Sequence, residues 1–192
     1  KINEKKMIQK SIIVIVLTFS TLNLFSQESS WIDPDKGFWI QSAMNYGQNN
    51  GGCWDIPGRP DKVEKGKNIQ VWDIDDGVDR IFYFIPTEKE GYYEIAIGAR
   101  YTARRIDVEG GSPNMQKNSA NIHTWNDNNG DWQRFRMKHL GNGNFKIITP
   151  TNMVLCLDGR SNTNGTNVHL WEDHEGEWME WYLVDPKTRT AY

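Results

Sequence analysis

The segment Asn68-Ile69-Gln70-Val71-Trp72 recurs as Asn121-Ile122-His123-Thr124-Trp125 and again as Asn167-Val168-His169-Leu170-Trp171. A glycine follows each tryptophan at the fifth place (Gly77, Gly130, Gly176), and an aromatic at the tenth (Phe82, Phe135, Trp181). Two offsets held through three copies define an internal repeat. A chain built this way must fold as three similar units packed around one another.

Four strands can be read in each unit. The first is Phe38-Trp39-Ile40, Tyr93-Glu94-Ile95 and Phe145-Lys146-Ile147, each close behind a glycine (Gly37, Gly91, Gly143). The second is Cys53-Trp54-Asp55-Ile56, Arg105-Ile106-Asp107-Val108 and Cys156-Leu157-Asp158-Gly159, and the tryptophan segment is the third. The fourth begins near Ile81-Phe82, Arg134-Phe135 and Glu180-Trp181. All are short, β-branched or aromatic, and bounded by Gly, Asn, Asp and Pro. Three four-stranded units are too few for a propeller of ~4–8 blades. Closing them into a threefold barrel leaves no open sheet edge. The expected fold is all-β, a β-trefoil over residues 37–192.

Alternation along a strand assigns the faces. Ile69/Val71, Ile122/Thr124 and Val168/Leu170 form a core row, which puts each tryptophan on the opposite face with Gln70, His123 or His169. The aspartate of the second strand shares that outer face. Continued parity adds Asp79, Trp132 and Trp178, seven residues after the repeated tryptophans. Sugar binding needs this mixture. A pyranose packs its C–H patch on an indole, and its hydroxyls donate to an ionised carboxylate. The alternative role for Trp72, Trp125 and Trp171 is packing between repeats.

The pattern resembles the ricin-type β-trefoil lectin domain, in which each subdomain carries an aspartate, then (Q/H)-x-W, then a Q-x-(W/F) strand. The resemblance spans about Gly37–Val184 and implies sugar contacts at Asp55, Gln70 and Trp72, at Asp107, His123 and Trp125, and at Asp158, His169 and Trp171. Gln133-Arg134-Phe135 matches the last motif, whereas Arg80-Ile81-Phe82 and Met179-Glu180-Trp181 lack its glutamine. The family's further asparagine contact falls at Asp79, Trp132 and Trp178, none of them asparagine. The first repeat, with Gln70 and Asp79, holds the fullest polar set.

Ahead of this domain, Lys5, Lys6 and Lys10 flank Met7, and an apolar run Ile12–Phe25 follows. This reads as a signal peptide over 1–26, with a linker over 27–36 and a secreted or periplasmic product; an N-terminal membrane anchor is the alternative. Export permits a disulfide, so Cys53 and Cys156 are either bonded or two separate buried thiols. The formal charge of -3 and the absence of a basic run argue against nucleic acid as partner. The loop Asp73–Asp79 has its glycine at the fifth place and Phe84 at the twelfth, which is not a calcium loop. His123 and His169 replace Gln70 in separate repeats and do not converge on one ion. Carboxylates placed one per repeat do not make a glycosidase pair. No cofactor and no catalysis are therefore expected. The function expected is a non-catalytic carbohydrate-binding module for glycans or polysaccharides, with up to three shallow sites and a separate glycan-active enzyme as a conceivable partner. The second reading is a protein-binding trefoil, such as a protease inhibitor, that uses the loop Gly58–Lys67.

Overall fold

The computed structural model describes residues 32–48, 52–58, 63–75, 80–99 and 103–192. The expected signal peptide, the first half of the linker, and Asp79 lie outside the described residues. The first repeat carries β1 (Trp39–Ser42), β2 (Cys53–Asp55), β3 (Gln70–Trp72) and β4 (Phe82–Pro86). The second carries β5 (Tyr92–Ile97), β6 (Arg104–Val108), β7 (Ile122–Asn126) and β8 (Arg134–His139). The third carries β9 (Asn144–Ile148), β10 (Val154–Leu157), β11 (Val168–Trp171) and β12 (Trp181–Val184). The chain is a β-trefoil.

The first and fourth strands of the repeats make the barrel. β1 pairs β12, β12 pairs β9, β9 pairs β8, β8 pairs β5 and β5 pairs β4, all antiparallel. The ring closes where Phe38 and Phe82 exchange backbone hydrogen bonds of 2.9 and 2.8 Å. Closure leaves the barrel no exposed edge. The hairpins β2–β3, β6–β7 and β10–β11 cover one end as a cap.

Parity holds for the core row, while on the opposite face Asp55, Asp107, His123 and His169 are buried as well and Trp125 and Trp171 are half-buried. Ile69, Val71, Ile122, Thr124, Val168 and Leu170 are fully buried, while Trp72 is 41% exposed. The core joins these cap residues to Phe82, Phe84, Phe135, Trp181 and Leu183 of the barrel. Trp54 meets Phe82 and Trp181 edge-on, with ring centroids 5.6 and 5.3 Å apart. Edge-to-face packing fits the aromatic quadrupoles better than a face-to-face sandwich. Ile32 is also fully buried in this core, so packing begins ahead of Gly37.

Each hairpin turn grips the next repeat, head to tail around the threefold axis. Gly66 N–H donates to Thr124 O at 2.6 Å, Ser119 N–H to Leu170 O at 2.8 Å, and Gly165 N–H to Val71 O at 2.9 Å. The asparagines that open the repeated motif meet at the axis. Asn68 Nδ2 donates to Asn167 Oδ1 at 2.8 Å, and Asn167 Nδ2 to Asn121 Oδ1 at 3.1 Å. Asn121 does not complete the ring; its Nδ2 donates to Glu109 Oε2 at 2.9 Å.

Candidate functional site

The third repeat departs from the register of the other two. β2 and β3 pair Asp55 with Gln70, and β6 and β7 pair Asp107 with His123. In the third repeat His169 pairs with Cys156, not with Asp158. The barrel pairings agree, since Gln41, Ala96 and Ile148 face Cys53, Arg105 and Val154. Asp158 is therefore not the counterpart of Asp55 and Asp107; Cys156 is. A two-residue offset keeps every side chain on its own face, which is why alternation alone does not reveal it. Asp158 lies beyond the strand, exposed, at the start of a 3-10 turn Asp158–Arg160. Cys53 and Cys156 form no disulfide and are buried at non-equivalent places.

The residue two before the Phe82, Phe135 or Trp181 position decides what the carboxylate slot holds. In the first repeat it is Arg80, 1% exposed, whose Nη2 lies 3.1 Å from Asp55 Oδ1 while Gln70 Nε2 donates to Oδ2 at 2.8 Å. Both oxygens of Asp55 thus face internal donors. In the second repeat it is Gln133, whose Nε2 donates to Asp107 Oδ2 at 2.7 Å; His123 Nε2 lies 3.1 Å from Oδ1. In the third it is Met179, which packs with Cys156, Val154 and Ile148. The pairs are Asp with Arg, Asp with Gln, and Cys with Met. An ion pair, an amide–carboxylate hydrogen bond and an apolar pair of sulfur side chains occupy the same place.

The same trade recurs on the outer side of each hairpin base. Trp39, Cys53 and Ile74 make an apolar cluster in the first repeat. The corresponding residues of the second are Glu94, Arg105 and Asp127, with Arg105 Nε and Nη2 on the two carboxylates at 2.8 and 3.0 Å. In the third, Lys146 pairs with Asp173 and its Nζ also donates to His174 O at 2.6 Å. Buried charges persist only when matched, and each repeat matches its own.

The two later repeats hold clefts. The second, about 790 Å³, is lined by Asp107, Glu109, His123, Trp125, Asn128 and Trp132 among others, together with Gly66 from the first repeat. The third, about 370 Å³, is lined by Cys156, Asp158, Arg160, His169, Trp171, His174 and Trp178 among others. Trp132 and Trp178 do not lie on a regular strand as parity assumed. They sit in the 3-10 turns Asp131–Gln133 and Glu177–Met179. The repeated glycine accounts for their position. A Cβ on Gly130 or Gly176 would stand closer than 3.0 Å to the indole of Trp132 or Trp178. The motif's glycine is thus the seat on which the second tryptophan rests.

Trp125 stacks on His123 with centroids 5.1 Å apart and planes 8° from parallel. His169 and Trp171 are 5.6 Å apart and tilted by 30°. Burial lowers the pKa of His169 from 6.5, against an opposing pull from Asp158. Burial, then the Asp158 carboxylate, pushes the Cys156 thiol up to about 12, so it stands in the cleft as an unreactive thiol. Among the described residues, no group of three or more His, Cys, Asp or Glu could hold a metal ion. No helix among them is long and apolar enough to cross a membrane.

Of the residues expected from sequence, Asp55, Gln70 and Trp72 gather in the first repeat. Asp107, His123, Trp125 and Trp132 gather in the second, and Asp158, His169, Trp171 and Trp178 around the third cleft. Asp55 and Asp107 each have both carboxylate oxygens engaged, Asp55 by Arg80 and Gln70 and Asp107 by His123 and Gln133. Sequence reasoning noted Arg80, Gln133 and Met179 only as matches to or departures from a motif. It missed Arg160, Lys65 and Glu109.

Residues 79–171 match the family described as "Ricin-type beta-trefoil lectin domain-like". No curated protein matches. The designed threefold-symmetric protein ThreeFoil superposes with a TM-score of 0.66 at 23% identity, covering 78% of this chain and 98% of its own. The C-half of the earthworm R-type lectin, solved in complex with GalNAc, gives 0.54 at 22% identity, covering 77% and 97%. An exo-β-1,3-galactanase from Clostridium thermocellum gives 0.65 at 19% identity over 80% of this chain, which spans only 31% of the galactanase.

Proposed function

From a chain that carries a ricin-type β-trefoil lectin-like domain, we propose a carbohydrate-binding module that acts without chemistry. The observation that carries this reading is the second cleft. There an anchored carboxylate, Asp107, lies beside two indoles, Trp125 and Trp132, at the rim of an open hollow. Hydroxyls of a pyranose donate to Asp107, whose position is fixed before the ligand arrives, so little ordering cost remains. The C–H face packs on an indole, with Trp132 braced against Gly130.

The three sites are unequal. Asp55 faces the guanidinium of Arg80 where Asp107 faces the amide of Gln133, which sets the first repeat apart. The third repeat offers Asp158 from a turn, with Trp171 and Trp178. The chain is read as exported, with residues 1–26 as its signal peptide. A separate glycan-active enzyme is the partner that this reading suggests.

A screen against glycans and insoluble polysaccharides tests the reading. Binding should fall with Trp125→Ala and Trp132→Ala, and vanish when Trp72→Ala, Trp125→Ala and Trp171→Ala are combined. Survival of all binding in that triple variant rejects these sites. Capture of a protease by the intact chain, with no glycan bound, would favour the protein-binding trefoil.

A further inference from the structure

One link in the ring of hairpin turns is chemically different. Asn164, in the turn that meets the first repeat, clamps the residue after Trp72: Asp73 N–H donates to Asn164 Oδ1 and Asn164 Nδ2 to Asp73 Oδ2, both at 2.9 Å. Asn118 serves the same place for Trp171, accepting from Glu172 N–H at 2.9 Å. The third equivalent is Lys65. Its clamp is missing, and Arg104 holds Asn126 instead. Lys65 is exposed, and its ammonium stands 5.2 Å from the centre of the ring of Trp125, one of the residues that line the second cleft.

The third cleft shows the same feature from a different residue. The second repeat has Gly111 (φ +67°) against Trp132, two residues beyond Glu109. The register of the third repeat puts Arg160 there, also at positive φ (+55°), with its guanidinium 4.4 Å from the centre of the Trp178 ring. Neither Lys65 nor Arg160 makes an ion pair among the described residues. Each cleft thus carries one unpaired cation on an indole. Carboxylates share both clefts with the cations, and hydrogen bonds to them do not cancel their charge. Asp107 is held by His123 and Gln133, and Glu109 by Asn121, whereas Asp158 is exposed.

We propose that the second and third clefts select sugars bearing an anionic group, a carboxylate or a sulfate, and that Lys65 and Arg160 meet that group. The inference rests on reading the clefts as sugar sites. A neutral pyranose that takes the indole displaces the cation and forfeits its contact with the ring. An acidic sugar displaces it too but gives it a counter-charge. An exposed pair of this kind gives a preference of roughly two- to fivefold per site, and salt screens it.

The test uses the whole chain with Trp72→Ala, which removes the first site. Titrations followed by the indole N–H signals of Trp125 and Trp178 compare galactose with galacturonic acid, glucose with glucuronic acid, and galactose with galactose 6-sulfate. The acidic member of each pair should bind more tightly at low salt, and the advantage should shrink at high salt. The ratio of acidic to neutral affinity should fall toward one at the second cleft with Lys65→Asn and at the third with Arg160→Asn. Asparagine suits both places, being the residue of the sister turns in one and tolerant of positive φ in the other. Binding of the sulfated but not the carboxylated sugars would narrow the class to sulfated sugars and keep the assignment. A ratio unmoved by both substitutions, or tighter binding of the neutral sugars, overturns it. Failure of every sugar, neutral and acidic alike, rejects the carbohydrate reading itself.

Discussion

Single positions decide what each repeat can hold. Arg80, Gln133 and Met179 occupy one place in the trefoil and face Asp55, Asp107 and Cys156. Removing one member of a buried charged pair strands the other, so Arg80→Met should cost roughly 3–5 kcal/mol in denaturant unfolding. Cys156→Asp should be destabilising for the same reason, with a carboxylate set against Met179. Adding Met179→Gln should recover roughly 0.5–3 kcal/mol by rebuilding the second repeat's pair, and a double-mutant cycle measures that coupling. A cycle with no coupling would show that the two side chains do not meet.

His169 carries a pH dependence of definite sign. Burial lowers its folded pKa below 6.5, so the unfolded chain binds the proton more readily. Stability from this group is complete above the unfolded pKa and is lost as pH falls from about 6.5 toward the folded value. His169→Gln, which copies Gln70, should abolish that loss. Unfolding curves of the two proteins should diverge below about pH 6.5 and run parallel above it.

At the scale of elements, strand positions were legible because short apolar runs between turn residues leave few alternatives. The core rows Ile69/Val71, Ile122/Thr124 and Val168/Leu170 followed from alternation alone. The third hairpin was misread, because Cys53-Trp54-Asp55 and Cys156-Leu157-Asp158 look like the same motif. A signal was present: Gln70 follows Asp55 by 15 residues and His123 follows Asp107 by 16, but His169 follows Asp158 by only 11. A shorter hairpin has to pair earlier along the strand. The turns that carry Trp132 and Trp178 were also hidden, since parity holds only in extended chain. Gly176 is the sharper case of the glycine seat, with φ +143° as well as no room for a Cβ. Gly176→Ala should destabilise the fold by roughly 1–3 kcal/mol and expel Trp178 from its place. Loss of ligand-induced shifts at Trp178, with those at Trp125 retained, would be the signature.

For the whole molecule, the proposed sites are expected to act through their threefold arrangement more than through the strength of any one. Shallow sites on one rigid body act together on a polymer. Trp125→Ala should therefore lower affinity for an insoluble polysaccharide roughly tenfold or more, while monosaccharide binding at the third cleft stays near its original value. Equal losses on both ligands would mean that the sites do not act together. The trefoil itself was readable from three copies of four strands. What each copy's carboxylate meets was not, because Arg80, Gln133 and Met179 reach that place only in the folded chain.

The head-to-tail grip of the hairpin turns has a consequence for descent. Lys65 and Gly66 belong to the first repeat but edge the second repeat's cleft. The second repeat is thus not a complete receptor on its own, whereas the third cleft is lined by its own repeat alone. A peptide holding a copy of the second kind would complete its cleft only beside another copy. After fusion into one chain, a change in the first repeat's turn alters the second cleft, so those two copies cannot diverge independently.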